Sequence, residues 1–136
     1  MNYKWNNAGL YESYVGRWSR LTAIDFLKWL NMKSDLVWLD IGCGTGALSD
    51  AILRTQEPRK VIGADPSESQ IQYTWESIQD TRAEFIVSSA EDLGINEDSA
   101  DVLVSGLVLN FIPDLSKALM EFKRAVRNGG TIAAYV

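Results

Sequence analysis

Runs of β-branched and other apolar residues alternate along the chain with segments whose apolar positions recur at helical spacing. Three runs, Asp35 to Ile41, Lys60 to Ala64 and Ala100 to Leu109, lie between polar breaks and read as buried strands. Two shorter ones, Glu84 to Ser88 and Thr131 to Val136, are flanked by turn formers, the second by the Gly129–Gly130 pair. Helical spacing fills the gaps. Ala47 to Arg54 follows a cluster of glycines, and in Ser67 to Gln79 the side chains of Ile71, Trp75 and Ile78 share a face. After Pro113–Asp114, Leu115, Leu119, Phe122 and Val126 form a stripe, with Lys123, Arg124 and Arg127 in the last turns, where the helix dipole favours cations. Upstream, Leu21, Ile24, Leu27 and Leu30 predict another helix, and Ala8 to Arg20 a shorter one.

Strand and helix alternate from residue 35 to the end, which predicts right-handed crossovers and a parallel sheet covered on both faces. The class is doubly wound α/β, Rossmann-like. Ligands of such sheets sit beyond the carboxyl ends of the strands, where strand order reverses, so the first strand and its loop should carry the site.

Composition narrows the chemistry. A chain of 136 residues, 46% of them apolar, suits one domain that buries roughly two-thirds of its unfolded surface without staples. The single cysteine, Cys43, has no internal disulfide partner, and the absence of histidine removes ordinary zinc sites and Ser–His or Cys–His nucleophile pairs. No metal site is expected. Eighteen acidic against thirteen basic residues give a net charge of −5, which argues against broad contact with nucleic-acid phosphates. No apolar run approaches a membrane span and the first residues lack a signal pattern, so a cytoplasmic protein is expected.

The most informative stretch is Trp38-Leu39-Asp40-Ile41-Gly42-Cys43-Gly44-Thr45-Gly46-Ala47, a strand running through three alternate glycines into a helix. Glycine permits tight turns and bare backbone against a ligand, and the helix start offers free N–H groups. Asp65 ends the second strand, placed to accept hydrogen bonds from both ribose hydroxyls of an adenosine, or merely to cap the next helix. Glu91–Asp92 taken alone reads as a solvated turn. Gly42, Gly44 and Ala47 also satisfy the dinucleotide pattern, so NAD or FAD binding is the competing reading. Asp40 counts against it, because a carboxylate at the lip of the loop repels a pyrophosphate and suits a ligand with ammonium and sulfonium centres.

Leu39 to Gly46 resembles the first motif of the class I S-adenosylmethionine-dependent methyltransferases, and Gly63-Ala64-Asp65-Pro66-Ser67 resembles the second. The nearest branch is the small-molecule group that includes the ubiquinone and menaquinone biosynthesis enzymes. Ser89-Ala90-Glu91-Asp92-Leu93 is similar to the third motif, Ala100 to Ser105 to the fourth strand, and Arg124 to Thr131 to the helix and double-glycine turn before the fifth. Tyr11 to Trp18 is similar to the variable cap segment, so residues 1–33 would form a helical cap on a core of residues 34–136.

The resemblance implies a role for each residue. Asp40 would hold the methionine ammonium, and Gly42, Cys43, Gly44 and Gly46 would let the methionine part and the ribose approach the backbone, Cys43 as a small filler. Asp65, with Pro66 beside it, would bind the ribose; Glu91 or Asp92 would meet the adenine, with backbone from Ala90. Ser105 and Leu107 to Asn110 would lie beside the transferable methyl, with Tyr14 and Asn110 as acceptor-side candidates. The implied sheet has strand order 3-2-1-4-5 and lacks the family's last two strands, since the chain stops at Tyr135–Val136. An uncharged edge strand of that kind recruits partners, and a homodimer is expected. Three functions compete: a methyltransferase, an NAD-type oxidoreductase domain, and a remnant that binds cofactor without turnover.

Overall fold

The computed structural model describes residues 17–136. Five parallel strands form its sheet in the order β3-β2-β1-β4-β5: β1 (Val37–Ile41), β2 (Lys60–Asp65), β3 (Ala83–Val87), β4 (Ala100–Gly106) and β5 (Val126–Tyr135). Among the described residues four α-helices accompany them: α1 (Arg17–Leu30), α2 (Ala47–Thr55), α3 (Glu68–Ser77) and α4 (Leu115–Ala125). The chain enters at the centre of the sheet, steps outward through β2 and β3, then crosses back to place β4 on the other side of β1. Strand order therefore reverses between β1 and β4, the place where open α/β sheets bind ligands. This is the doubly wound architecture and strand order expected from the sequence.

Alternation along the strands divides the interior into two cores. Trp38, Val61, Val102 and Val104 point to one face, under Ala23, Phe26 and Leu27 of α1 and Leu48 and Ile52 of α2. Leu39, Ile41, Ala64 and Leu103 point to the other, under Ala118, Phe122 and Ala125 of α4. Helix α1 thus shares a core with the sheet. No helix among the described residues is long and apolar enough to cross a membrane.

Several expected boundaries and faces are corrected. Strand β1 starts at Val37 because Asp35 turns the chain with φ of 64°, paired to Arg59 at 2.9 Å. Strand β4 ends at Gly106, since Leu107 adopts φ of 61° and Leu109–Phe111 form a 3-10 turn. Helix α1 runs unbroken from Arg17, so no separate short helix ends at Arg20; the rest of the span from Ala8, and Tyr14 with it, lies outside the described residues. The buried stripe of α1 is Ala23, Phe26 and Leu27, while Leu21 is 51% exposed. Similarly α4 buries Ala118, Phe122 and Ala125 and leaves Leu119 47% exposed, because alanines let the helix approach the sheet more closely than leucines would.

The Gly129–Gly130 pair lies inside β5, not before it. Ala100 pairs with Val126 and Val102 with Thr131, so Arg127 to Gly130 loop out of register between them. A side chain at Gly130 would strike Val126 and the Asp101 carbonyl. The opposing Asp101 carboxylate accepts the Val37 N–H at 2.7 Å and pairs with Arg127, tying the starts of β1, β4 and β5 together. Strand β5 is paired on its inner side only, among the described residues.

Candidate functional site

The loop after β1 is folded by its neighbours as much as by its own sequence. Both Gly42 and Cys43 donate their N–H to the Ala64 carbonyl, at 2.7 and 3.0 Å, and the Thr74 hydroxyl donates to the Gly44 carbonyl at 2.8 Å. Gly42, Gly44 and Gly46 all have left-handed φ, of 70°, 54° and 89°. Only at Gly44 does the missing side chain leave open space, a Cβ there meeting nothing nearer than the Gly42 carbonyl at 4.0 Å. At Gly42 a Cβ would strike Val108 at 2.5 Å. At Gly46 it would strike Ile78 and Thr74 at 2.7 and 2.8 Å. Gly46 lines neither cavity, and its missing side chain lets α3 lie against the loop.

Two cavities meet at this loop. The larger, of about 400 Å³, is lined by Gly44, Asp65, Pro66, Ala90, Glu91 and the apolar side chains after β4. The smaller, of about 50 Å³, is lined by Asp40 and Cys43 on one side and by Ser19 and Tyr135 on another. Gly42, Gly44, Leu107 and Val108 border both.

Asp65 projects from the end of β2, where one carboxylate oxygen accepts the Gly44 N–H at 3.0 Å and the other the Ser67 N–H at 2.8 Å. Capping of α3 falls instead to Ser67, whose hydroxyl accepts from Gln70 N–H. A carboxylate offers about four lone-pair sites, so Asp65 keeps acceptor capacity toward the cavity while its orientation is held from behind. Burial raises its pKa, and the two backbone N–H groups oppose that rise.

Asp40 is not at the lip of the loop. It is 1% exposed at the end of β1, and the Ser49 hydroxyl of α2 donates to it at 2.7 Å. Burial pushes its pKa up to about 7 against the pull of Ser49. No cationic side chain among the described residues pairs with it. Cys43 is also buried, its thiol pushed up by the same desolvation and by the nearby carboxylates, which makes it a filler rather than a nucleophile.

Of the acid pair, Glu91 lines the larger cavity, whereas Asp92 is exposed and outside it. Ser105 does not reach either cavity: it is buried in β4, its hydroxyl donating to the Ile41 carbonyl at 3.0 Å as a stitch between β4 and β1. Asn110 is exposed on the 3-10 turn and lines neither, while its neighbours Phe111, Ile112 and Pro113 do. Sequence reasoning overlooked Ser49 and Tyr135. A serine among Leu48, Ala51 and Ile52 on a buried helix face was a legible signal; nothing local marked Tyr135, which arrives because Gly106 opposite it carries no side chain.

The arrangement fits an adenosyl amino acid. A backbone cradle opens at Gly44, a pre-oriented carboxylate at Asp65 faces the larger cavity, and an unneutralised buried carboxylate at Asp40 faces the smaller one. No group of three or more metal-ligating side chains occurs among the described residues.

Comparison with known proteins agrees with this reading. A family model described as a methyltransferase domain matches residues 39–134. Methyltransferase tpcH of Aspergillus fumigatus is 33% identical over 106 residues, 72% of this chain and 38% of that protein. Demethylmenaquinone methyltransferase of Oceanobacillus iheyensis is 32% identical over 115 residues, 79% of this chain and 47% of that one. The chain spans less than half the length of either relative. In fold it is similar to the methyltransferase solved in complex with the Haloferax volcanii Trm112 methyltransferase activator, with a TM-score of 0.87 at 22% identity over 98% of this chain and 60% of that one. Nothing in these matches supports the dinucleotide oxidoreductase alternative.

Proposed function

The chain belongs to the class I S-adenosylmethionine-dependent methyltransferases, and from that premise we propose that it takes part in methyl transfer from S-adenosylmethionine to a small-molecule acceptor. The observation that carries the proposal is the pair of joined cavities, one ending on a buried carboxylate and the other on an adenosine-sized cleft. Asp40 would hold the amino-acid ammonium, Asp65 the ribose, and Ala90 and Glu91 the adenine. S-adenosylmethionine supplies an activated methyl on a sulfonium, whose thioether departs without needing a proton. What remains for the chain is positioning and the exclusion of water. Leu107, Val108, Phe111 and Ile112 provide an apolar wall for that purpose, and the Ser105 stitch holds the strand that presents it.

Titration calorimetry with S-adenosylhomocysteine and with NAD tests the proposal. Binding of the first and not the second is expected, and Asp40→Ala should weaken it. Failure of S-adenosylhomocysteine to bind refutes the reading. A panel of phenolic and quinol acceptors with labelled methyl donor then separates an enzyme from a binding remnant. A relative named for demethylmenaquinone methylation supports such acceptors. We also propose that the uncharged stretch from Thr131 to Val136 lets two copies pair through β5, and that the protein works in the cytoplasm, where its lone Cys43 stays reduced. A monomer by light scattering at high concentration refutes the pairing.

A further inference from the structure

Ser49 serves neither the core nor the helix cap. It lies in the first turn of α2, is fully buried, and spends its hydroxyl on Asp40. A carboxyl group that is neutral offers one acceptor oxygen and a proton; ionised, it accepts from all sides. Since the Ser49 hydroxyl donates to Asp40 at 2.7 Å and the nearby Ser49 backbone N–H also favours the charge, the ionised form gains the more from this contact. The other groups facing Asp40 oppose it or are neutral. Asp65 reaches it from the end of β2 as a like charge, Cys43 from the loop is an uncharged thiol, and Ser19 of α1 and Tyr135 of β5 line the same cavity. No Lys or Arg lines this cavity among the described residues, and the chain has no histidine.

We propose that Ser49 is a positioning residue that favours the ionised form of Asp40 and holds it facing the smaller cavity, so that capture of an ammonium-bearing ligand is coupled to release of the Asp40 proton. The inference rests on the methyltransferase reading of the site but adds to it: affinity becomes a function of pH, and one hydroxyl sets the pH at which the site engages. The raised titration of Asp40 places that point near neutrality.

Affinity for S-adenosylhomocysteine is measured by calorimetry from pH 6 to 8.5 for the intact chain, Ser49→Ala and Ser49→Thr, in two buffers of different ionisation enthalpy. Ionisation of the ligand is common to all proteins and cancels in their ratio. Loss of one hydrogen bond to the charged form shifts the titration upward by about one unit. Affinity scales with the fraction of the competent form, so Ser49→Ala should bind roughly tenfold more weakly at pH 6 and within about a factor of two at pH 8.5. Net proton release on binding should move to higher pH with it, and Ser49→Thr should restore the original profile if its extra methyl is accommodated. A ratio independent of pH, or no proton release by the intact chain near neutrality, overturns the inference while leaving the methyltransferase reading standing. Absence of binding by the intact chain at every pH overturns both. If Ser49→Ala does not fold, Asp40→Asn decides: its binding must be insensitive to pH over the same range beyond what the ligand itself shows, and retention of the intact chain's pH dependence refutes the coupling.

Discussion

Replacing Asp40 by asparagine should change how stability depends on pH, with a sign set by the burial of this carboxyl. The ordinary value of 3.8 rises to about 7 in the folded chain, chiefly through desolvation. Between those limits the native state holds a proton that the unfolded chain has released, so stability falls as pH rises. The slope is about 1.4 kcal/mol per unit, and over the interval from 3.8 to about 7 the loss approaches 4 kcal/mol. Asp65 is raised for the same reason and adds in the same direction. Asp80 and Glu121 act oppositely: their arginine partners Arg82 and Arg124 lower them to about 2, so their contributions are present above the ordinary carboxylate range and are lost only as pH falls toward the folded value. They leave the window from pH 5 to 8 untouched. The amide introduced by Asp40→Asn would be neutral throughout and could still accept from Ser49. Urea unfolding at pH 5, 6, 7 and 8 should therefore give a midpoint that declines for the natural chain and declines much less for Asp40→Asn, the curves diverging toward high pH by roughly 2–4 kcal/mol. Parallel curves would refute the reasoning, for they would mean that Asp40 titrates alike in both states.

Gly44→Ala and Gly46→Ala should separate binding from packing. The first meets open space and carries only the left-handed backbone cost of about 1–2 kcal/mol, yet it should abolish tight S-adenosylhomocysteine binding in calorimetry. The second adds a clash with Ile78 and Thr74 and should lower stability by about 2–4 kcal/mol in thermal or urea unfolding. Asp101→Ala leaves the Val37 N–H without its acceptor and Arg127 without its partner, and should cost about 1–3 kcal/mol in urea unfolding while S-adenosylhomocysteine affinity of the folded fraction stays unchanged. Phe122→Ala opens the core beneath α4 and should cost about 3–5 kcal/mol by the same measurement.

The strands and both helical layers were legible because β-branched runs and glycine punctuation report locally on what the backbone does, whereas the strand order followed only from the family resemblance. Which leucines face inward was not. In α4 a leucine stripe and an alanine–phenylalanine stripe compete, and hydrophobicity favours the leucines, whereas close approach to the sheet favours Ala118 and Ala125. The out-of-register residues in β5 are equally hidden, since a glycine pair reads the same before a strand as inside one. At the site, the loop and Asp65 can be located from spacing, and Glu91 only from the resemblance to the third motif. Ser105, Gly46 and Asn110 could not be sorted from them, because whether a side chain points at a cavity or a neighbour depends on the partner strand: the Ile41 carbonyl consumes Ser105, and α3 occupies the space beside Gly46.

The hydrogen bonds from Gly42 and Cys43 to the Ala64 carbonyl, and from Gly44 to Asp65, give the glycine turn its shape from a different strand. Grafting Asp40 to Ala47 alone onto another scaffold should therefore yield a floppy insert. A transplant that carried the tip of β2 and the Thr74 turn of α3 along with it would keep its form, so the smallest portable unit of this pocket is three chain segments and not one.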